Sequence, residues 1–205
     1  MSNIRDKVEL VINNTWQPTG TLNHLTLIRH VYGKSRRTGK GSANWNGELF
    51  EALVIKMLIS SEILAENLFA QRSLALVPHT KFDIILCASN IKTGVKTPIC
   101  LSMKTSLRER YKQAEMESVI AKQVHRGCVT ALLTLDTAAV QRVKNKLYGI
   151  DLLIDCNEPR QLDQLLKLIH SKGKLVTRNE LPIIGPLISE TAKETALRIR
   201  QEKRI

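Results

Sequence analysis

The stretch LSMKTSLRERYKQAEME, residues 101–117, decides how this chain is read. It follows the apolar run Pro98-Ile99-Cys100-Leu101, closes it with Ser102-Met103-Lys104, and passes into a charged helix start of Arg108, Glu109, Arg110, Tyr111, Lys112 and Gln113. A lysine at the exit of a buried strand is costly unless it is paired. Its partner must come from elsewhere in the chain.

Upstream, Phe82-Asp83-Ile84-Ile85-Leu86-Cys87-Ala88 reads as another apolar strand, and Ser89-Asn90 and Thr93-Gly94 supply turn residues between the two. The pair predicts a hairpin. The start of one strand then lies opposite the end of the other, so Asp83 and Lys104 meet at one edge of the sheet. Arg110, Gln113 and Glu117 fall at i, i+3 and i+7, one stripe of the following helix. If that stripe faces the hairpin, Glu117 closes a site with Asp83 and Lys104. Two carboxylates beside a lysine suit metal-assisted phosphodiester hydrolysis, since hard oxygens hold magnesium and the metal activates water and the phosphate. The lysine positions that water or holds developing charge. An Asp83–Lys104 ion pair that staples the hairpin ends is the structural alternative.

Working outward, residues 48–67 form the clearest amphipathic helix, with Leu49, Phe50, Leu53, Val54, Met57, Leu58 and Leu64 on its apolar side. Glu48 sits in its first turn, where the helix dipole favours a carboxylate. Residues 73–77 read as a short strand. Downstream come a helix at 107–126, an apolar strand at 128–135, a helix capped by Asp136 or Thr137 and running to about 146, a strand at 149–156, and a helix at 160–171 ended by Gly173. A short leading helix at 3–13 and a charged helix at 189–203 flank this core. A hairpin that leads through a helix into an apolar strand, and again through a helix into another, predicts an α/β fold: a mixed β-sheet with helices on both faces.

The 205 residues, 43% hydrophobic and 24% charged, suit a single soluble domain. No apolar run approaches the ~20 residues of a membrane helix, and the first residues lack an apolar signal core, so a cytoplasmic protein without a membrane partner is expected. The four cysteines are far apart, which argues for buried free thiols over a zinc cluster. An excess of 31 Lys+Arg over 19 Asp+Glu, 31 − 19 = +12, favours a polyanionic partner, and nucleic acid above all. Part of that charge is concentrated in RHVYGKSRRTGK, residues 29–40, where Arg36, Arg37 and Lys40 stand in an acid-free loop able to fold around phosphates. The five histidines form no metal-binding motif, and no phosphate-binding GK[ST] loop is present, so no nucleotide cofactor is expected.

Asp83, a loop and Ser102-Met103-Lys104 resemble the PD-(D/E)xK nuclease motif, with Ser102 where the usual second acid stands. The run KTSLRERYKQ, residues 104–113, is similar to a Lys-Thr-…-Arg-(Trp/Tyr)-x-Gln segment of the EcoRII/NgoMIV-like branch of type II restriction endonucleases. In that branch a glutamate on the next helix replaces the missing acid, and Glu117 falls at the expected place. The resemblance implies a restriction-endonuclease-like fold in which Asp83 and Glu117 bind Mg2+ and Lys104 assists the attacking water. Glu48 would be a supporting or second-metal group. Arg108, Arg110, Lys112 and Gln113 open the helix that would face DNA.

The implied protein is a single nuclease domain over 1–205, with N-terminal helices and a basic loop at 1–47, a catalytic core at 48–156 and C-terminal helices at 157–205. Its implied activity is that of a magnesium-dependent type II restriction endonuclease of a restriction-modification pair. It would cut a short site in double-stranded DNA as a homodimer, since a symmetric site calls for two copies of the reading surface. A structure-specific nuclease for junctions or repair is the alternative within the fold. A catalytically inactive DNA-binding protein is another, favoured by Ser102 and opposed by Asp83, Lys104 and Glu117.

Overall fold

Successive side chains of a strand point to opposite faces, and in the central hairpin both faces are apolar. A computed structural model describes residues 28, 32–33, 43–77, 80–108 and 110–177. In it, β2 (Phe82–Ser89) and β3 (Lys96–Lys104) pair antiparallel, with Ile84 opposite Leu101 and Ser89 opposite Lys96. Ile84, Leu86, Ala88, Ile99, Leu101 and Met103 share one face, where they pack with Leu49, Phe50, Leu53 and Met57 of α1 (Ala43–Ser60) and Leu165 and Ile169 of α4 (Pro159–Ser171). On the other face, Ile85 and Cys100 pack against Ala121 of α2 (Arg110–Val124). Full burial of a side chain such as Leu101 contributes about 1.5–3 kcal/mol.

From β3 onward the sheet turns parallel. β4 (Val129–Thr134) pairs with β3, and β5 (Leu152–Asp155) pairs with β4. The crossovers are α2 and α3 (Thr137–Val143); α3 buries Ala139, Val140 and Val143 beside Leu107, Ala114 and Leu132. Every residue of β4 is buried, as expected of a central parallel strand covered on both sides. The result is a six-stranded mixed sheet with α1 and α4 on one face and α2 and α3 on the other. The expected fold class holds.

Three differences from the sequence reading bear on the site and the sheet edge. The first concerns α1, which starts at Ala43 instead of residue 48 and stops at Ser60 instead of 67. Its stop is a Schellman turn: Glu62 adopts φ 67, the Glu62 N–H donates to the Ile59 carbonyl, and the Ile63 N–H donates to the Leu58 carbonyl. Glycine normally marks such a turn, and here glutamate fills the place. Glu48 consequently sits beyond the first turn, so the dipole role does not apply.

The second is the first strand, β1 (Phe69–Arg72), which lies four residues before the expected 73–77 and pairs with β2. Leu76, at φ 65, belongs to a turn instead. The third is a short unforeseen strand, β6 (Lys174–Leu175), which pairs with the far half of β2, so that Ser89 faces Lys174. All four cysteines are free and buried; burial pushes the Cys87 thiol up to about 11, which leaves it protonated and unreactive at neutral pH. The helices expected at 3–13 and 189–203 lie outside the described residues. Among the described residues, no helix is long and apolar enough to cross a membrane.

Gly173 fixes how β6 reaches the sheet. It adopts φ 122, and a Cβ there would stand 2.2 Å from the Ser89 carbonyl oxygen. Gly173→Ala should therefore lower the free energy of unfolding by about 2–4 kcal/mol in urea titration, whereas Gly94→Ala, in the open hairpin turn, should cost less.

Candidate active site

Asp83 is the second residue of β2, one position before Ile84, the first residue of β2 in register with β3. There its carboxylate takes up a backbone donor near the end of the ladder: the Met103 N–H donates to Asp83 Oδ2 at 2.5 Å. The next residue, Lys104, ends β3 and brings its Nζ to 3.7 Å from the same oxygen. Side-chain exposure is 11% for Lys104 and 21% for Asp83. Such a pair is shielded enough for its charges to matter and open enough to be reached. The lysine that looked misplaced in the sequence has the partner the hairpin geometry required.

Strand parity sets the rest of the site. Ser102 and Lys104 point to the face covered by α2, as Cys100 does. On α2, Glu117 is buried, at 8% exposure, and accepts a hydrogen bond from Gln113 Nε2 at 2.9 Å, one helical turn earlier. Burial raises the Glu117 carboxyl above its ordinary value, the Gln113 donor and the Lys104 charge pull it down, and the Asp83 charge pushes it up. Both charges thus bear on Glu117, while Arg110 and Gln113 of the same stripe are exposed.

The turn between Lys104 and α2 is held by Asp136. Its Oδ2 accepts from Ser106 Oγ at 3.3 Å and from the Leu107 N–H at 3.2 Å, while its Oδ1 caps α3 by accepting from the Ala139 N–H at 3.0 Å. One carboxylate thereby joins a helix cap to the segment that delivers Arg108. Arg108, Arg110, Lys112 and Gln113 are all exposed at the opening of α2. Tyr111 is instead partly buried against Leu107 and Ala114, as its spacing suggested. Gln113, expected to face DNA, directs its amide donor to Glu117. Arg36, Arg37 and Lys40 lie outside the described residues.

Two participants were missed. Gln71 of β1 donates from Nε2 to Asp83 Oδ1 at 3.2 Å and to Glu51 Oε2 at 3.0 Å. The link that joins α1 to Asp83 therefore runs through Glu51, one turn after the expected Glu48, which is half-buried on the same helix. The spacing of Glu48 and Glu51, i and i+3 on one side of a helix, was the available signal for Glu51. Gln71 had none, because residues 68–72 fell between the helix expected to end at 67 and the strand expected to begin at 73. Among the described residues, no three His, Cys, Asp or Glu side chains form a ready metal cluster.

The fold has a solved counterpart. The structure of restriction endonuclease PspGI in complex with substrate DNA is similar to this chain with a TM-score of 0.51 and 14% identity, covering 85% of this chain and 83% of that one. The type IIP restriction endonuclease Kpn2I is similar with a TM-score of 0.41 and 13% identity over 83% and 71% of the two chains. The first likeness assigns the sheet to the restriction-endonuclease fold. No protein-family model matches the chain, and no curated protein matches it.

The raised Glu117 carboxyl carries a pH signature. A group held above its unfolded value contributes stability that is present in acid and lost as pH rises through the folded value. Glu117→Gln, always neutral, should melt higher than the wild type at pH 8 in chelator. That gain should vanish below pH 4.5, the group's ordinary value. A gain independent of pH in differential scanning calorimetry would contradict the assigned burial effect.

Proposed function

We propose that the protein is a magnesium-dependent DNA endonuclease, a type II restriction enzyme that hydrolyses phosphodiester bonds within a short duplex site. One observation carries this reading: Asp83 and Lys104 are in contact at the mouth of the hairpin, and the helix that covers that face buries a glutamate, Glu117. Burying ionisable groups together at a partly open edge is expensive, and such clusters mark reactive sites more often than plain cores.

Asp83 and Glu117 suit magnesium, which takes oxygen ligands, retains several waters and needs only one or two carboxylates. When bound, the ion supplies polarisation of the scissile phosphate and a water of lowered pKa. The remaining work belongs to the chain. The Met103 N–H and Gln71 hold the two Asp83 oxygens in fixed directions, and Gln113 orients Glu117. Lys104, already drawn to Asp83, would donate to the attacking water or to a phosphate oxygen whose charge grows in the transition state. Glu48 and Glu51 would support the site from α1. Arg108, Arg110 and Lys112 would grip phosphates, in keeping with the net charge of +12. Two copies of the chain would read a symmetric site.

A plasmid digest with magnesium tests the reading. Discrete fragments are expected; cleavage confined to branched DNA would mean a structure-specific nuclease, and binding without cleavage an inactive one. Lys104→Ala and Glu117→Ala should each reduce cleavage by about a thousandfold or more while DNA affinity stays within about twofold. Full activity of Glu117→Ala would remove the helix glutamate from the site. Arg108→Ala and Lys112→Ala should act differently. Each should weaken binding across sequences and lower the slope of log affinity against log salt by about 1.

A further inference from the structure

We propose that Gln71 is a positioning residue, whose amide holds the Asp83 carboxylate and the Glu51 carboxylate of α1 on a single nitrogen and so fixes Asp83 for cleavage. The inference rests on the nuclease reading of Asp83, and it assigns the first strand a part in that site. Three observations converge on it. The register of β1, with Ala70 opposite Ile84 and Arg72 opposite Phe82, sets Gln71 directly across from Asp83. Its Nε2 lies 3.2 Å from Asp83 Oδ1 and 3.0 Å from Glu51 Oε2. Its backbone adopts φ 57, inside a strand.

Glutamine is suited to this place by its chemistry. A primary amide offers two N–H donors from one neutral nitrogen, whereas lysine or arginine would add a positive charge beside Lys104. With both donors engaged, the two carboxylates are held apart on fixed sides of the amide without a cation between them. Asp83 is then restrained at both oxygens, by Gln71 at Oδ1 and by the Met103 N–H at Oδ2. Each oxygen keeps a lone pair for a further partner. A carboxylate locked in this way loses little freedom when it engages substrate or ion, which is how supporting hydrogen bonds raise catalytic rates.

The backbone points the same way. A left-handed conformation is uncommon for a residue other than glycine, and strain of this kind collects where structure is held for function. Nothing in a regular edge strand requires it. The contact that accompanies it is the pair of hydrogen bonds to Glu51 and Asp83.

Gln71→Gly separates strain from positioning, because glycine accepts the backbone conformation while the side chain and its amide are lost. Cleavage at saturating DNA and magnesium is expected to fall about tenfold or more, with DNA affinity in calcium unchanged within about twofold. In urea unfolding, Gln71→Gly and Glu51→Ala are expected to be non-additive, as residues in contact are. A purely structural glutamine would show the unfolding coupling without the selective loss of rate. Cleavage by Gln71→Gly within about twofold of wild type overturns the proposal, as do additive unfolding effects. Absence of cleavage by the wild type would overturn the nuclease reading instead. The unfolding cycle then decides alone whether the amide joins the two carboxylates.

Discussion

The contact on which the rest depends is the short hydrogen bond from the Met103 N–H to Asp83 Oδ2. Near its end a strand leaves backbone donors without ladder partners, and a buried donor must find an acceptor. Here the acceptor is a side chain, not a carbonyl. That choice places a negative charge at the mouth of the hairpin, and Lys104 follows at 3.7 Å. The same contact locks the relative position of β2 and β3 where the ladder gives out. A slip of one residue would turn Asp83 and Lys104 to opposite faces of the sheet.

Around that contact the site is assembled from three elements that come from different parts of the chain. The sheet contributes Asp83 and Lys104, α2 contributes Glu117, and α1 contributes Glu51 by way of Gln71. Each carboxylate arrives with its own donor: Met103 N–H and Gln71 for Asp83, and Gln113 for Glu117. Without the Gln113 donor, desolvation would push the Glu117 carboxyl further toward the neutral form. Glu117 shows the tension directly, since burial outweighs the opposing pull of Gln113 and Lys104. It is a group held at some cost to stability.

What the sequence revealed, and what it hid, follows from the range of the forces involved. The hairpin, the parallel continuation and the covering helices were legible because period and apolar runs are local signals. Asp83 and Lys104 were legible because an antiparallel hairpin puts its two ends together, and Glu117 because helical spacing carries the stripe forward. The stop of α1 was hidden: Glu62 fills a left-handed position that glycine usually announces, so residues beyond Ser60 read as more helix. With that error β1 was displaced, and Gln71 lost the strand context in which it faces Asp83. The two-residue strand β6 has no periodicity to read, and only its pairing to Ser89 defines it.

Ser102 ties these strands together. Continuing the register of β2 and β3 by one residue sets it across from Asp83, and it is 3% exposed. A carboxylate there would stand about 5 Å from Asp83 across the pair, with like charges in one buried layer. Serine avoids that repulsion and leaves room for α2 to pack close. Under the proposed reading, the second acid then comes from the helix, where Gln113 can solvate it. The consequence reaches beyond chemistry. α2 also carries Arg110 and Lys112, exposed at its opening, so one rigid element would hold both a metal ligand and part of the phosphate grip. Docking DNA on that helix would act directly on the position of Glu117. A second acid on the strand would have left the two independent, so under that reading the serine would make cleavage depend on how the duplex is seated.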